Sequence, residues 1–359
     1  MEGTSEKVKH PCVALRDEMI RAGMNQRELS VRTGATEKHI STVLNGDRDI
    51  SVAFARKLGY VFEHDATYWL DLQAQYDSYQ MRIREENEIS QDELDILKPL
   101  HDISEHFIQR GYLKNHCGDA TKVMRLRSLL GVSDLTAIPR ITYNAAYRAQ
   151  ITENVKVDPY VLFAWQRLCE KETEHIISDS DLNVDKLQEC IGEIKQQMHG
   201  AITESIASLQ NIFARCGIAF QVVKNFRGAP VQGFIKKTEA GKVLLCLTIR
   251  GGRSDAFWFT LFHEIGHLLH GDVTTRFVDF DSISGKAEDA ANRFASDTLI
   301  DPEKYRQFLR SKSSILWQDI EAFAKQEDIM PSIVLGRLQK DGILEWSDYA
   351  GNVVRYQWA

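Results

Sequence analysis

Residues 254–271 read SDAFWFTLFHEIGHLLHG, and the fold of the second half of the chain turns on taking them as one buried helix. Ser254 or Asp255 can cap its start, and Gly271 stands where a left-handed C-terminal residue is wanted. Phe257, Trp258, Phe259, Leu261, Phe262, Ile265, Leu268 and Leu269 make the helix apolar almost all round, as a core helix should be. Into that apolar surface the sequence sets His263, Glu264 and His267.

This is the pattern H-E-x-x-H. Side chains four apart lie one turn above each other, so His263 and His267 point the same way. Two imidazoles on one face can hold one Zn²⁺ at about 2.1 Å each. Glu264 projects roughly 100° round the helix from His263, where a carboxylate reaches the water of such an ion without ligating it. Zinc lowers the pKa of that water to about 7, and Glu264 can take its proton as an amide is attacked. The plainer alternative is a pair of packed core histidines, and the helical context with its apolar flanks weighs against it.

A zinc site needs a third protein ligand. The longer metzincin pattern requires a histidine at position 273, which is Val273, so that class is excluded. Residues 286–299, KAEDAANRFASDTL, read as a second helix in which Glu288, Ala291, Ala295 and Leu299 share one stripe. Small residues there let the two helices lie close, and Glu288 is expected to face the metal. Asp289 points away with Arg293 and Ser296, and Asp289, His270 and Asp279 are the weaker candidates.

Residues 257–271 (FWFTLFHEIGHLLHG) followed by 287–302 (AEDAANRFASDTLIDP) resemble the ImmA/IrrE family of metallopeptidases, whose pattern pairs H-E-x-x-H with a downstream E-x-x-A-x-x-F-A helix. The resemblance spans about residues 205–340. It implies zinc ligation by His263, His267 and Glu288, and Glu264 as the catalytic base.

The N-terminal region reads differently. Val13–Arg21, Gln26–Thr33 and Glu37–Leu44 are short helical stretches, with Asn25 and Thr36 as caps and Gly34 in the turn between the last two. Two short helices joined through a glycine turn form a helix-turn-helix. Leu29, Ile40, Val43 and Leu44 are its expected core, and Ser30 is small where the helices approach. Lys38, Thr42 and Asn45 face away from Ile40 with His39 and Ser41 at the flanks, so these side chains are candidates for base edges in the major groove. Gln26 and Thr36, at helix starts, complete the candidate DNA-contacting set. Over residues 1–57 ten Lys/Arg stand against eight Asp/Glu, a net of +2, so tight binding would need a dimer and good geometry as well as charge.

Ser51–Phe62 and Asp65–Arg82 complete an expected helical bundle. His10-Pro11, Leu15, Asn25-Gln26, Leu29, Ile40-Ser41, Leu44-Asn45-Gly46, Ile50-Ser51, Trp69 to Gln73 and Tyr76-Asp77 resemble the HigA branch of Xre-type regulators. Cys12 departs from the glycine usual in that branch. The resemblance implies a lambda-repressor-like fold over about residues 10–82. Stand-alone HigA antitoxins are much shorter, so an antitoxin role does not transfer with it.

At 359 residues and 43% hydrophobic the chain can build more than one core. No apolar run is long enough for a membrane span and no leader opens the chain, so a cytoplasmic protein without a membrane partner is expected. Six cysteines without C-x-x-C spacing are expected to be free buried thiols. The net charge of −7 makes no global case for nucleic acid, though it leaves room for a local basic face.

Three regions are expected: a DNA-binding domain over 1–90, a helical spacer, dimerisation or sensing region over 91–200, and a zinc metallopeptidase domain over 201–359. The charge run 82–88, RIREENE, reads as a linker or an extension of the preceding helix. IAFQVV, VQGFIKK and KVLLCLTI, between residues 218 and 249, read as three strands. Zinc peptidases lay an extended peptide along an edge strand, for which Lys242–Ile249 is the expected one. Two helices after Pro302 and a C-terminal strand from Trp346 to Ala359 should close the domain.

The expected fold is mainly α, a lambda-repressor-like bundle followed by an α+β zincin-like domain. The expected function is a repressor, acting as a homodimer on double-stranded operator DNA. Its zinc endopeptidase controls repression by cutting a toxin, a partner repressor or the chain itself. The alternative is an antitoxin or sensor repressor whose zinc domain binds without catalysis.

Overall fold

The computed structural model describes residues 8–115, 118–142, 157–176, 181–238, 241–271 and 285–358. The chain divides into two compact units, Met1–Ser90 and Gln91–Ala359. The described residues are mainly helical, with one small three-stranded sheet.

The first unit holds α1 (Pro11–Arg21), α2 (Gln26–Thr33), α3 (Glu37–Leu44), α4 (Val52–Phe62) and α5 (Ala66–Glu88). α2 to α5 start at short polar caps, Asn25, Thr36, Ser51 and Asp65, as the orphan N–H groups of a first turn require, and α1 starts at the His10 ring, which accepts from the Cys12 N–H. Asn25 accepts from the Glu28 N–H at 2.9 Å and Thr36 from the His39 N–H at 3.1 Å. Gly34, at φ +58°, ends α2 in the left-handed region that glycine enters most readily. The Ser30 hydroxyl donates to the Ala35 carbonyl across the turn at 2.6 Å. Leu15, Leu29, Ile40, Val43, Leu58 and Trp69 fill the core. Gln73 of α5 is buried beneath the α3–α4 loop, accepting from the Ile50 N–H at 3.0 Å and donating to Asp49 and Asp77. The charge run 82–88 continues α5.

The second unit is built on the sheet β1 (Ile218–Val222), β2 (Gly233–Lys237) and β3 (Val243–Leu247), in the order β1-β3-β2. β1 runs parallel to β3 and β2 antiparallel to it. This corrects the expectation for Lys242–Ile249: β3 is the central strand and β2 is an edge. VLLCL is apolar at every position and buried at every position, which suits a strand flanked on both sides. β2, half-buried with its lysines, takes the border.

Residues 91–200 belong to this unit. They supply α6 (Gln91–Ile96), α7 (His101–Gln109), α8 (Asp119–Leu130), α9 (Ile138–Thr142), α10 (Pro159–Thr173), α11 (Val184–Glu189) and α12 (Ile191–Gln196). α10 lies on the sheet, where the Trp165 indole donates to the Lys224 carbonyl at 3.0 Å and meets the Phe234 ring. Leu187, Ile194 and Met198 share one core with Phe220, Leu245 and Leu261, so this stretch completes the core and is no bare spacer.

After α13 (Ile202–Arg215) and the strands come α14 (Ser254–His270), α15 (Gly285–Leu299), α16 (Pro302–Arg310), α17 (Trp317–Glu327) and α18 (Pro331–Lys340). Three helices therefore follow Pro302, where two were expected. Pro302 opens α16 at its first position, where a missing N–H is harmless, with Asp301 as the cap. α14 starts without a side-chain cap. The C-terminal tail lies over it instead: the Ser254 N–H donates to the Val354 carbonyl, and the Trp258 indole donates to the Tyr356 hydroxyl at 2.8 Å. Among the described residues the tail forms one isolated bridge, Arg253 to Arg355, beside these hydrogen bonds, and adds no strand to the sheet, where a C-terminal strand was expected. Cys12, Cys169, Cys190, Cys216 and Cys246 are buried thiols; Cys117 lies outside the described residues. No helix among the described residues is long and apolar enough to cross a membrane.

Candidate functional site

α14 and α15 pack backbone against backbone. A Cβ on Gly266 would stand 3.1 Å from the Ala291 Cα, and Ala291 and Ala295 are fully buried. That closeness lets a side chain of ordinary length on α15 meet the two histidines of α14. His263 Nε2 and His267 Nε2 are 3.0 Å apart, and the two Glu288 carboxylate oxygens stand 3.4 Å from the first and 3.3 Å from the second. Three ligands of a tetrahedral zinc, each at 2.0–2.2 Å, are separated by roughly 3.3–3.5 Å. The carboxylate distances match that separation and the 3.0 Å between the two imidazole nitrogens is somewhat shorter, so this donor set suits such an ion with a small opening of the histidine pair. Among the described residues, this is the group of three His, Cys, Asp or Glu donors close enough to share a metal.

The weaker candidates fall elsewhere. Asp289 is exposed. His270 turns back on its own helix, donating from Nδ1 to the Gly266 carbonyl at 2.6 Å. Asp279 lies outside the described residues.

Charges in the site reinforce one another. Burial disfavours a proton on His263, but the hydrogen bond to Glu288, the charges of Glu264 and Glu288, and the bond to Asn292 outweigh it, so its pKa lies above the ordinary histidine value. The hydrogen bonds from His263 and His267 hold the Glu288 carboxyl far below the usual carboxylate range despite partial burial.

Glu264, only 2% exposed, sits against the first residue of β2. A Cβ on Gly233 would stand 2.3 Å from the Glu264 Oε1, so only glycine lets the edge strand pass this close to the carboxylate. Two residues of the site escaped the sequence reading. Asn292, whose Oδ1 is 3.0 Å from His263 Nδ1, shares the Glu288 face at a spacing of four, and that spacing was its one signal. Gly233 interrupts a strand pattern, which marks a close approach without saying to what.

In the first unit, Gln26, Lys38 and Asn45 are exposed on or beside the turn. Thr36 is exposed, but its hydroxyl caps α3. Thr42 donates its hydroxyl to the His39 carbonyl at 2.8 Å, and Ser41 is half-buried. His39 is more internal than expected. Its ring meets the buried Phe54 edge-on at 4.7 Å, and burial, then Arg48 and Lys57, lower its pKa. Those two cations were not among the sequence candidates, because both follow the third helix and become its neighbours only on folding.

No family model matches the sequence. Over 73 residues it is 34% identical to Virulence-associated protein A' of Dichelobacter nodosus, a match covering 20% of this chain and 64% of that protein. The chain thus spans less than two thirds of the length of that curated relative. Among solved structures, an addiction module antidote protein of the HigA family from Coxiella burnetii is 25% identical over 23% of this chain and 97% of its own, with a TM-score of 0.22.

Proposed function

We propose that this chain is a DNA-binding repressor that carries its own zinc-dependent endopeptidase. The peptidase reading is supported by one observation: His263, His267 and Glu288 bring two imidazole Nε2 atoms and a carboxylate to 3.0–3.4 Å from one another, with the buried Glu264 next on the same helix. His263, His267 and Glu288 would hold the ion, which when bound supplies a Lewis acid and a water acidic enough to attack an amide near neutral pH. Glu264 is the proton carrier. As a carboxylate it accepts the proton of the attacking water and can return it to the leaving amine. Its closeness to Gly233 ties it to β2, the outer strand among the described residues, along which an extended peptide can add as a further strand.

The DNA half is supported by the helix-turn-helix geometry, with Lys38 exposed on α3, Asn45 exposed at its C-terminal cap and Gln26 at the start of α2. The substrate class is a protein segment in a partner repressor, a toxin or this chain. Metal analysis of the purified chain and of Glu264→Gln tests the peptidase reading. Both should carry about one zinc, as Glu264 is no ligand, and the variant should retain a bound protein in a pull-down. A parent without zinc would end the reading. Zinc in both with equal cleavage, or none, would favour a metal-dependent sensor or antitoxin.

A further inference from the structure

We infer that Asn292 is a positioning residue that sets the tautomer of His263, leaving its Nε2 lone pair aimed at the metal. This rests on the zinc reading above. A neutral imidazole carries one proton and one lone pair, so ligation through Nε2 requires the proton on Nδ1. Nε2 is the atom that faces His267 and Glu288, and Nδ1 is the atom that faces Asn292. An amide oxygen only accepts. With Oδ1 at 3.0 Å, Asn292 therefore favours the tautomer in which Nδ1 donates.

The placement of the acceptor follows from the helix. Asn292 is four residues beyond Glu288, one turn along the same face of α15. One helix face thus supplies both the third ligand and the acceptor behind the first. The Gly266–Ala291 approach holds that helix against α14, so the acceptor is carried on a rigid element and not on a loop. The amide also does this without charge. Glu264 and Glu288 already place two carboxylates around His263, and a neutral acceptor adds none. Such outer hydrogen bonds orient metal-binding histidines and change metal affinity by about 10–100-fold when lost.

The test compares the full chain with Asn292→Leu, which keeps the side chain's size but removes the acceptor, and Asn292→Asp, which keeps an acceptor. In zinc-free protein with ¹⁵N-labelled histidines at alkaline pH, with Glu288→Ala added so that no carboxylate accepts from Nε2, His263 should carry its proton on Nδ1 when Asn292 is intact or is Asn292→Asp. Asn292→Leu in the same background should lose that preference. In competition with a chromophoric chelator, and with Glu288 intact, zinc affinity should fall about 10–100-fold in Asn292→Leu and stay near the parent in Asn292→Asp. A proton on Nε2 of His263 in Glu288→Ala with Asn292 intact would overturn the inference. So would a Leu variant that binds zinc like the parent, or equal losses in both variants. Should Asn292→Leu not fold, the Glu288→Ala tautomer and the Asp variant still decide. The Nδ1 proton in Glu288→Ala with no affinity of the parent for zinc would overturn the zinc reading, and the ligand-aiming role with it; the intact tautomer separates that result from failure of the hydrogen bond itself.

Discussion

At the scale of single residues, the site is an arrangement of charges that a metal would have to enter. Against the effect of burial, Glu288, Glu264 and Asn292 raise the pKa of His263 from its ordinary value, while the two histidines keep Glu288 ionised. Zinc needs the neutral imidazole, so binding at and below the raised pKa releases a proton. Zinc affinity should therefore climb with pH through the histidine range and level off once His263 is neutral. Glu288 adds no slope, because its carboxyl is ionised throughout. Titrations with a metal indicator at several pH values check this, and a flat profile would show that His263 is not a ligand.

His263→Ala should abolish stoichiometric zinc, whereas the exposed Asp289→Ala should keep it; elemental analysis of both variants reads the difference. Gly233→Ala should leave zinc in place yet cut cleavage, because its methyl group would occupy the space of the Glu264 carboxylate. Unchanged cleavage with retained zinc would show that β2 does not constrain the base. The place of Glu288 beside His263 and His267 was legible in the sequence because its stripe on α15 is also the packing stripe. Asn292 and Gly233 were not, since a hydrogen bond to a ring nitrogen and a contact with a carboxylate leave no mark in hydrophobic periodicity.

At the scale of elements, periodicity located the first five helices and the three strands, and fell short where neighbours decide. Strand order is such a case. KVLLCLTI reads as a strand in isolation, yet only the partners on either side make it central. His39 is another, since its place on α3 gives no hint that Phe54 of α4 will take its ring. The same α3–α4 region depends on Gln73. Its side chain satisfies the Ile50 N–H beneath the loop, and Gln73→Ala would strand that donor in the interior. A loss of about 1–3 kcal/mol in the stability of the first unit is expected by chemical denaturation. For DNA, Lys38→Ala should weaken operator binding by about 1–3 kcal/mol if the ammonium reads a base edge. An equal loss on random DNA in a titration would assign Lys38 to the phosphates instead.

At the scale of the whole molecule, two units carry chemistry that need not be linked, and the proposal is that proteolysis links them. The helices of residues 91–200 complete the core of the second unit. Their amphipathic pattern showed that they must pack, but not against what, because a helix stripe does not name its partner. The most direct test of the central claim is an operator-driven reporter in cells, read beside an immunoblot of this chain, for Glu264→Gln against the parent. The variant keeps the shape of the side chain and removes the carboxylate that takes the proton. Zinc content and operator binding should be unchanged, and regulatory cleavage should fall at least about 100-fold. The account predicts that the variant represses constitutively and yields no fragments when the signal arrives. Derepression as complete as in the parent, with the same fragments or with none in either, would contradict it.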